Sequence, residues 1–141
     1  MLFSMTLPKQ KFREIVYVAL FAIDMGNDSE DEVVKLIMDE LKVTRKQGHE
    51  GYRKALEISL LRDKLDQYIS EVATSYDISR IPSAEKNVLR MGVYDLIEVK
   101  EIPPLVAIAE SIRLSRKFAT PESASFVNAI LDTLHKKYGK E

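Results

Sequence analysis

His49-Glu50-Gly51-Tyr52-Arg53 begins as a zinc-protease helix begins, with a histidine followed by a glutamate, but Arg53 stands where the second histidine must be. A helix presents two ligands to one metal ion only from positions i and i+4, so this stretch is not expected to hold a metal. The other histidine, His135, lies far along the chain in a lysine-rich end, and both histidines are expected at the surface. The acidic cluster Asp24, Asp28, Glu30, Asp31 and Glu32 lacks the spacing and the glycine of a calcium loop. A solvated helix start, where carboxylates are favoured by the helix dipole, accounts for it better. There is no glycine-rich phosphate loop and no serine elbow. The absence of cysteine removes disulfides, thiolate metal sites and a cysteine nucleophile. No catalytic residue, metal or cofactor is expected.

A weak signal for contact with a polyanion lies near the start of the chain. Lys9, Arg13 and Tyr17 recur at i, i+4 and i+8 and are expected to line one helical face, away from the apolar stripe, with Lys11 elsewhere on the circumference. Cations held in a row can follow phosphates, and a nearby ring can stack on an unpaired base. The same residues also suit an ordinary solvent-facing helix start.

Those side chains need helices to hold them, and the pattern is helical almost throughout. Phe12, Ile15, Val16, Ala19, Leu20 and Ile23 form a first apolar stripe, with Pro8 in the first turn and Gly26-Asn27 as the stop. Ser29 and Glu32 have the spacing of a capping box, ahead of a stripe of Val33, Val34, Ile37, Met38 and Leu41. Thr44 suits the cap of a third helix through Tyr52, Ala55, Leu56, Ser59 and Leu60. A break near Arg62-Asp63 separates it from Leu65, Ile69 and Val72. After Ile81-Pro82, Ser83 is expected to cap a helix bearing Val88, Leu89, Gly92, Val93, Leu96 and Ile97, whose wide stripe suits the centre of a fold. Pro103-Pro104 opens the next helix, to about Phe118. Thr120 and Pro121 open the last, with Val127, Ile130, Leu131 and Leu134 as its stripe. Strand-like alternation is absent.

A chain of 141 residues suits one domain with a hydrophobic core. Its formal net charge of -1 is unlike that of a strongly cationic nucleic-acid binder, so any RNA contact must come from a local patch or a partner's help. No apolar run approaches the roughly 20 residues of a membrane span. Met1 to Met5 is too short and lacks the charged start of a signal peptide. A soluble cytoplasmic protein is expected.

The segments Leu89-Arg90, Tyr94-Asp95-Leu96, Ile102-Pro103, Val106-Ala107-Ile108-Ala109-Glu110 and Phe126-Val127-Asn128-Ala129-Ile130-Leu131-Asp132 follow one another in the order of a known signature. In these the chain resembles the NusB family of bacterial transcription antitermination factors, strongly from Ser83 to Leu134 and loosely before. The resemblance implies an all-α single domain over residues 1–141, with about six or seven helices in two bundle-like halves. It also implies a non-catalytic role. Such a protein pairs with NusE, a small-subunit ribosomal protein, and binds the boxA element of ribosomal RNA transcripts. The pair supports the complex that keeps RNA polymerase elongating.

Carried over residue by residue, the family's arginine-rich start corresponds to Lys9, Gln10 and Lys11, and its Arg-Glu pair to Arg13-Glu14. Phe21 stands where a tyrosine is common. The patch is diluted, because lysine keeps charge but loses the planar, bidentate geometry of guanidinium; weaker RNA binding is expected. Phe118 and Phe126, with Glu122 between them, correspond to the RNA and partner surface, and Arg113, Arg116 and Lys117 add charge nearby. Phe126 reads equally as a core-edge residue or an open platform. Glu85 and Glu122 match positions that face NusE, where carboxylates suit a basic ribosomal protein. Glu85 equally suits the dipole of its own helix. Asn128 is expected to be a structural hydrogen-bonding residue. Ala129 replaces a family glycine, and Ala109 a family asparagine. Three other readings stand beside this one: the RNA-binding appendage of a ribosomal RNA methyltransferase, a helical interaction protein with reduced RNA binding, and a homodimeric storage form with its RNA face buried.

Overall fold

Among the described residues the apolar stripes become seven α-helices and one 3₁₀ turn, with no strand. The computed structural model describes residues 7–27, 29–74 and 77–139. Met1 to Met5 and Asp28, named above, lie outside them. The helices cluster into two compact units, residues 1–60 and 61–141.

The first unit holds α1 (Lys9–Asp24), α2 (Glu30–Leu41) and α3 (Arg45–Leu60). Pro8 sits at the N-cap of α1 rather than inside it, its carbonyl accepting from the Phe12 amide. Gly26 takes a φ of 95° just past the helix end, a left-handed turn that glycine adopts without a side-chain penalty. Only half of the expected capping box forms on α2. Ser29 Oγ accepts from the Glu32 amide, but the Ser29 amide donates to Asn27 Oδ1 instead of the Glu32 side chain. The reciprocal box occurs on α3, where Thr44 Oγ1 accepts from the Gln47 amide and Gln47 Oε1 from the Thr44 amide.

The stripe expected on α3 is rotated. Leu56 is exposed and Leu60 is 85 % exposed, while Gly48, Gly51, Tyr52, Ala55 and Ile58 are buried. The cause is close backbone approach. A Cβ on Gly51 would press into Ile15 of α1, lying 3.0 Å from its Cβ, and one on Gly48 would lie 3.0 Å from Val34 Cγ1 of α2. Glycine carries no hydrophobic signal, so the contact face was read from the leucines beside it.

The second unit holds α4 (Arg62–Val72), the 3₁₀ turn Ile78–Arg80, α5 (Ser83–Ile97), α6 (Pro104–Phe118) and α7 (Pro121–Tyr138). Helix α5 packs against α4, α6 and α7, the central place its wide stripe predicted. Val88, Leu89, Val93 and Leu96 are buried, and Gly92 admits α6 and α7: a Cβ there would lie 2.6 Å from Ser111 Oγ and 2.7 Å from Leu131 Cδ1. Ser83 does not cap α5. The N-cap is Pro82, which has no side-chain acceptor, and Ser83 is the first helical residue. Helix α7 carries a full box, with Thr120 Oγ1 accepting from the Ser123 amide and Ser123 Oγ from the Thr120 amide.

Candidate nucleic-acid and partner interface

In the first unit, Lys9 is exposed at the start of α1, and its ammonium has no intramolecular partner among the described residues. Lys11 is half-buried and leans on Glu14, 3.7 Å away. Arg13 is half-buried. Beyond it the helix closes on nearly every side, with Glu14, Ile15, Val16, Tyr17, Ala19, Leu20 and Ala22 all buried.

Tyr17 therefore does not continue the exposed row. It is 3 % exposed, because the i, i+4, i+8 line runs from the free end of α1 into its enclosed middle. A ring so enclosed presents no open face to a base. Phe21 is half-buried, its ring centroid 6.2 Å from that of Tyr17 in a tilted pair. The cationic surface of α1 is thus confined to its first turn and a half.

In the second unit, the last turns of α6 carry Arg113, Arg116, Lys117 and Phe118. Cations at a helix C-terminus also complement its dipole. Arg113 is tied to Glu110 by hydrogen bonds of 3.1 to 3.4 Å, and the Lys117 ammonium lies 5.7 Å from the Phe118 ring centroid. Arg116 is exposed and without an ion-pair partner among the described residues. Phe118 and Phe126 are both half-buried, and Glu122 is exposed in the first turn of α7. Asn128 is exposed and makes no side-chain hydrogen bond among the described residues, so it is a surface group of α7 and not a structural anchor. Ala109 and Ala129 are exposed too.

Glu85 occupies the first turn of α5, half-buried, and its carboxylate has no partner among the described residues. Farther along α5 a buried polar network begins that the sequence reading did not pick out. Arg90 Nε and Nη2 donate to the two carboxylate oxygens of Asp66 on α4, at 2.8 and 2.9 Å, in the two-pronged geometry guanidinium favours. Arg90 Nη1 donates to Asn87 Oδ1 at 3.1 Å, and Asn87 Nδ2 donates to the Ser83 carbonyl at 2.9 Å. Arg90 and Asn87 are buried. The signal was available: an arginine between Leu89 and Met91, on a helix apolar around most of its girth, must meet an acceptor. Its partner, 24 residues away in sequence, was not marked by any spacing. Glu14 is buried as well, its carboxylate 3.7 Å from the Lys11 ammonium.

Of the two histidines, His135 is half-buried, and half-buried His49 hydrogen-bonds through Nδ1 to Glu30 of α2. No group of three potential metal ligands gathers among the described residues, and no described helix is long and apolar enough to cross a membrane.

Residues 10–136 match the NusB family. The chain belongs to it. The transcription antitermination protein NusB of Dehalococcoides mccartyi is 30 % identical over 132 residues, 94 % of this chain and 92 % of the relative. A crystal structure of T. maritima NusB superposes with a TM-score of 0.79 at 30 % identity, covering 96 % of each chain. A NusB structure solved with NusE and double-stranded RNA shares the fold, with a TM-score of 0.76 at 24 % identity, covering 92 % of this chain and 97 % of that one. The all-α NusB-like architecture implied by the terminal signature is therefore the architecture found.

Proposed function

We propose that this NusB-family protein is a transcription antitermination factor that pairs with NusE and binds boxA RNA of ribosomal RNA transcripts. It works in the cytoplasm and catalyses no reaction, and its residues 1–141 act as one RNA- and protein-binding domain. Family membership over residues 10–136 carries this reading, because the match takes in both helical units. NusB of the crystallised complex binds NusE and double-stranded RNA, and its fold is the one this chain adopts.

The residue roles follow from charge and access. Lys9, Lys11 and Arg13 contact RNA phosphates from the start of α1. Phe21, Phe118 and Phe126 are half-buried rings whose exposed parts meet bases or the partner, with Arg116 and Lys117 adding charge. Glu85 and Glu122, both without intramolecular partners among the described residues, face the basic surface of NusE. Tyr17 contributes by holding Phe21 rather than by stacking on RNA. Antitermination then comes from assembling protein, partner and transcript on the elongating polymerase.

A second reading, a helical interaction protein with reduced RNA binding, is favoured by the burial of Tyr17 and the pairing of Lys11 with Glu14. In both readings NusE is a partner. Glu85→Lys tests that shared part: it should impair NusE pairing while leaving helix content unchanged. Wild-type affinity in this variant refutes the assigned face.

A further inference from the structure

We infer that Asn87, through Arg90 and Asp66, is the positioning residue for Glu85, the carboxylate offered to the partner. The inference rests on the proposed role of Glu85 at the NusE face and explains how the helical turn that carries this carboxylate is held in place.

The start of α5 has no side-chain cap. Helices α3 and α7 each begin with a reciprocal capping box, whereas α5 begins behind Pro82, with no side-chain cap. Its first turn is fastened from the inside. The Asn87 amide group holds the carbonyl of Ser83, two residues before Glu85, at 2.9 Å. Asn87 is itself oriented by Arg90 Nη1, which must meet an oxygen and so fixes Oδ1 toward Arg90 and Nδ2 toward Ser83. Arg90 is oriented in turn by the two-pronged contact with Asp66 on α4.

Fold stability alone does not account for such a chain. Replacing a buried ion pair with well-packed apolar side chains is often neutral or stabilising, so its use here lies in directional restraint. A carboxylate that must meet a basic partner gains from being pre-set, because ordering it at the moment of binding costs affinity. The first turn of α5 is thereby tied to α4.

The test is a double-mutant cycle on NusE affinity, measured by calorimetry on the full-length protein with purified NusE. Glu85→Ala should weaken pairing by about tenfold in the wild-type background. Asn87→Asp keeps an acceptor for Arg90 but removes the donor to the Ser83 carbonyl, and should weaken pairing by about fivefold. In the Asn87→Asp background, Glu85→Ala should then cost less than about twofold, since a carboxylate no longer aimed has little left to lose. Asn87→Ala should reproduce this loss of coupling. A loss from Glu85→Ala that is equal in both backgrounds overturns the positioning role while the partner face stands. No loss from Glu85→Ala in the wild-type background overturns the partner face and the positioning role with it.

Discussion

Arg90 and Asp66 join α5 to α4 through two parallel hydrogen bonds of 2.8 and 2.9 Å, with the guanidinium side chain 6 % and the carboxylate 22 % exposed. Removing one partner leaves the other charge in a poorly solvated site. Asp66→Ala should destabilise the protein by about 3 kcal/mol, the low end for a buried pair because the carboxylate is partly wet. Urea unfolding measures this, and a loss below about 1 kcal/mol would place the pair among ordinary surface bridges.

The glycines at helix contacts should behave according to what their missing Cβ would meet. Gly51→Ala forces a methyl group against Ile15, and Gly92→Ala forces one between Ser111 and Leu131. Each should cost about 2 kcal/mol or more, because a packed core yields little to added volume. Gly48→Ala meets only one branch of Val34 at 3.0 Å and should cost less. Thermal unfolding of the three variants checks the order.

Lys9 is the cation on α1 best placed to reach a phosphate, with Arg13 one turn behind. The double variant Lys9→Ala, Arg13→Ala should weaken boxA binding and reduce the slope of log affinity against log salt by up to about 0.7 per lost single-strand phosphate contact. Tyr17→Phe should leave the slope unchanged, since that ring is enclosed. An unchanged slope in the double variant removes α1 from the RNA surface.

The end of α7 is tied to α4 by an exposed cluster. The Tyr138 hydroxyl and, second, the Lys137 ammonium hold the Glu71 carboxyl below its ordinary value of 4.5. Glu71 in turn raises both Lys137 and Tyr138 above their ordinary values. The carboxylate's contribution is complete above its unfolded value and lost as pH falls through the lowered folded one. The contributions of the two donors are complete below their unfolded values and lost as pH rises through the raised folded ones. The last turn of α7 should therefore be best protected from about pH 5 to about pH 9 and should loosen on either side. Amide-exchange protection factors at Lys136 to Tyr138 measure this. Glu71→Gln should flatten the acid limb, and a retained limb would assign it to another group.

Much of the architecture could be read before any coordinates. Stripes such as Val33, Val34, Ile37 and Leu41 recur at the helical period because apolar burial demands it. Thr44, Thr120 and the Pro103-Pro104 pair mark helix starts by hydrogen bonding and fixed backbone angles. What escaped was information that a side-chain pattern does not carry. Gly48 and Gly51 set the contact face of α3 by what they lack, so Leu56 and Leu60 were placed inward in error. Pro82 took the cap position expected of Ser83. Tyr17 followed a regular spacing into the interior, because spacing along one helix does not report what surrounds it. Lys9, Glu85 and Glu122 were legible as exposed or half-exposed charges, but the Asp66–Arg90–Asn87 chain behind Glu85 depends on a long-range contact that only folding reveals.

On the proposed function, this near-neutral bundle grips its transcript as one half of a heterodimer. A mobility-shift titration of boxA RNA against the protein alone and against its equimolar mixture with NusE tests this most directly. The mixture should shift the RNA at a protein concentration at least about tenfold lower than the protein alone requires. Identical titration curves with and without NusE, or no shifted complex at micromolar protein in either, would contradict it.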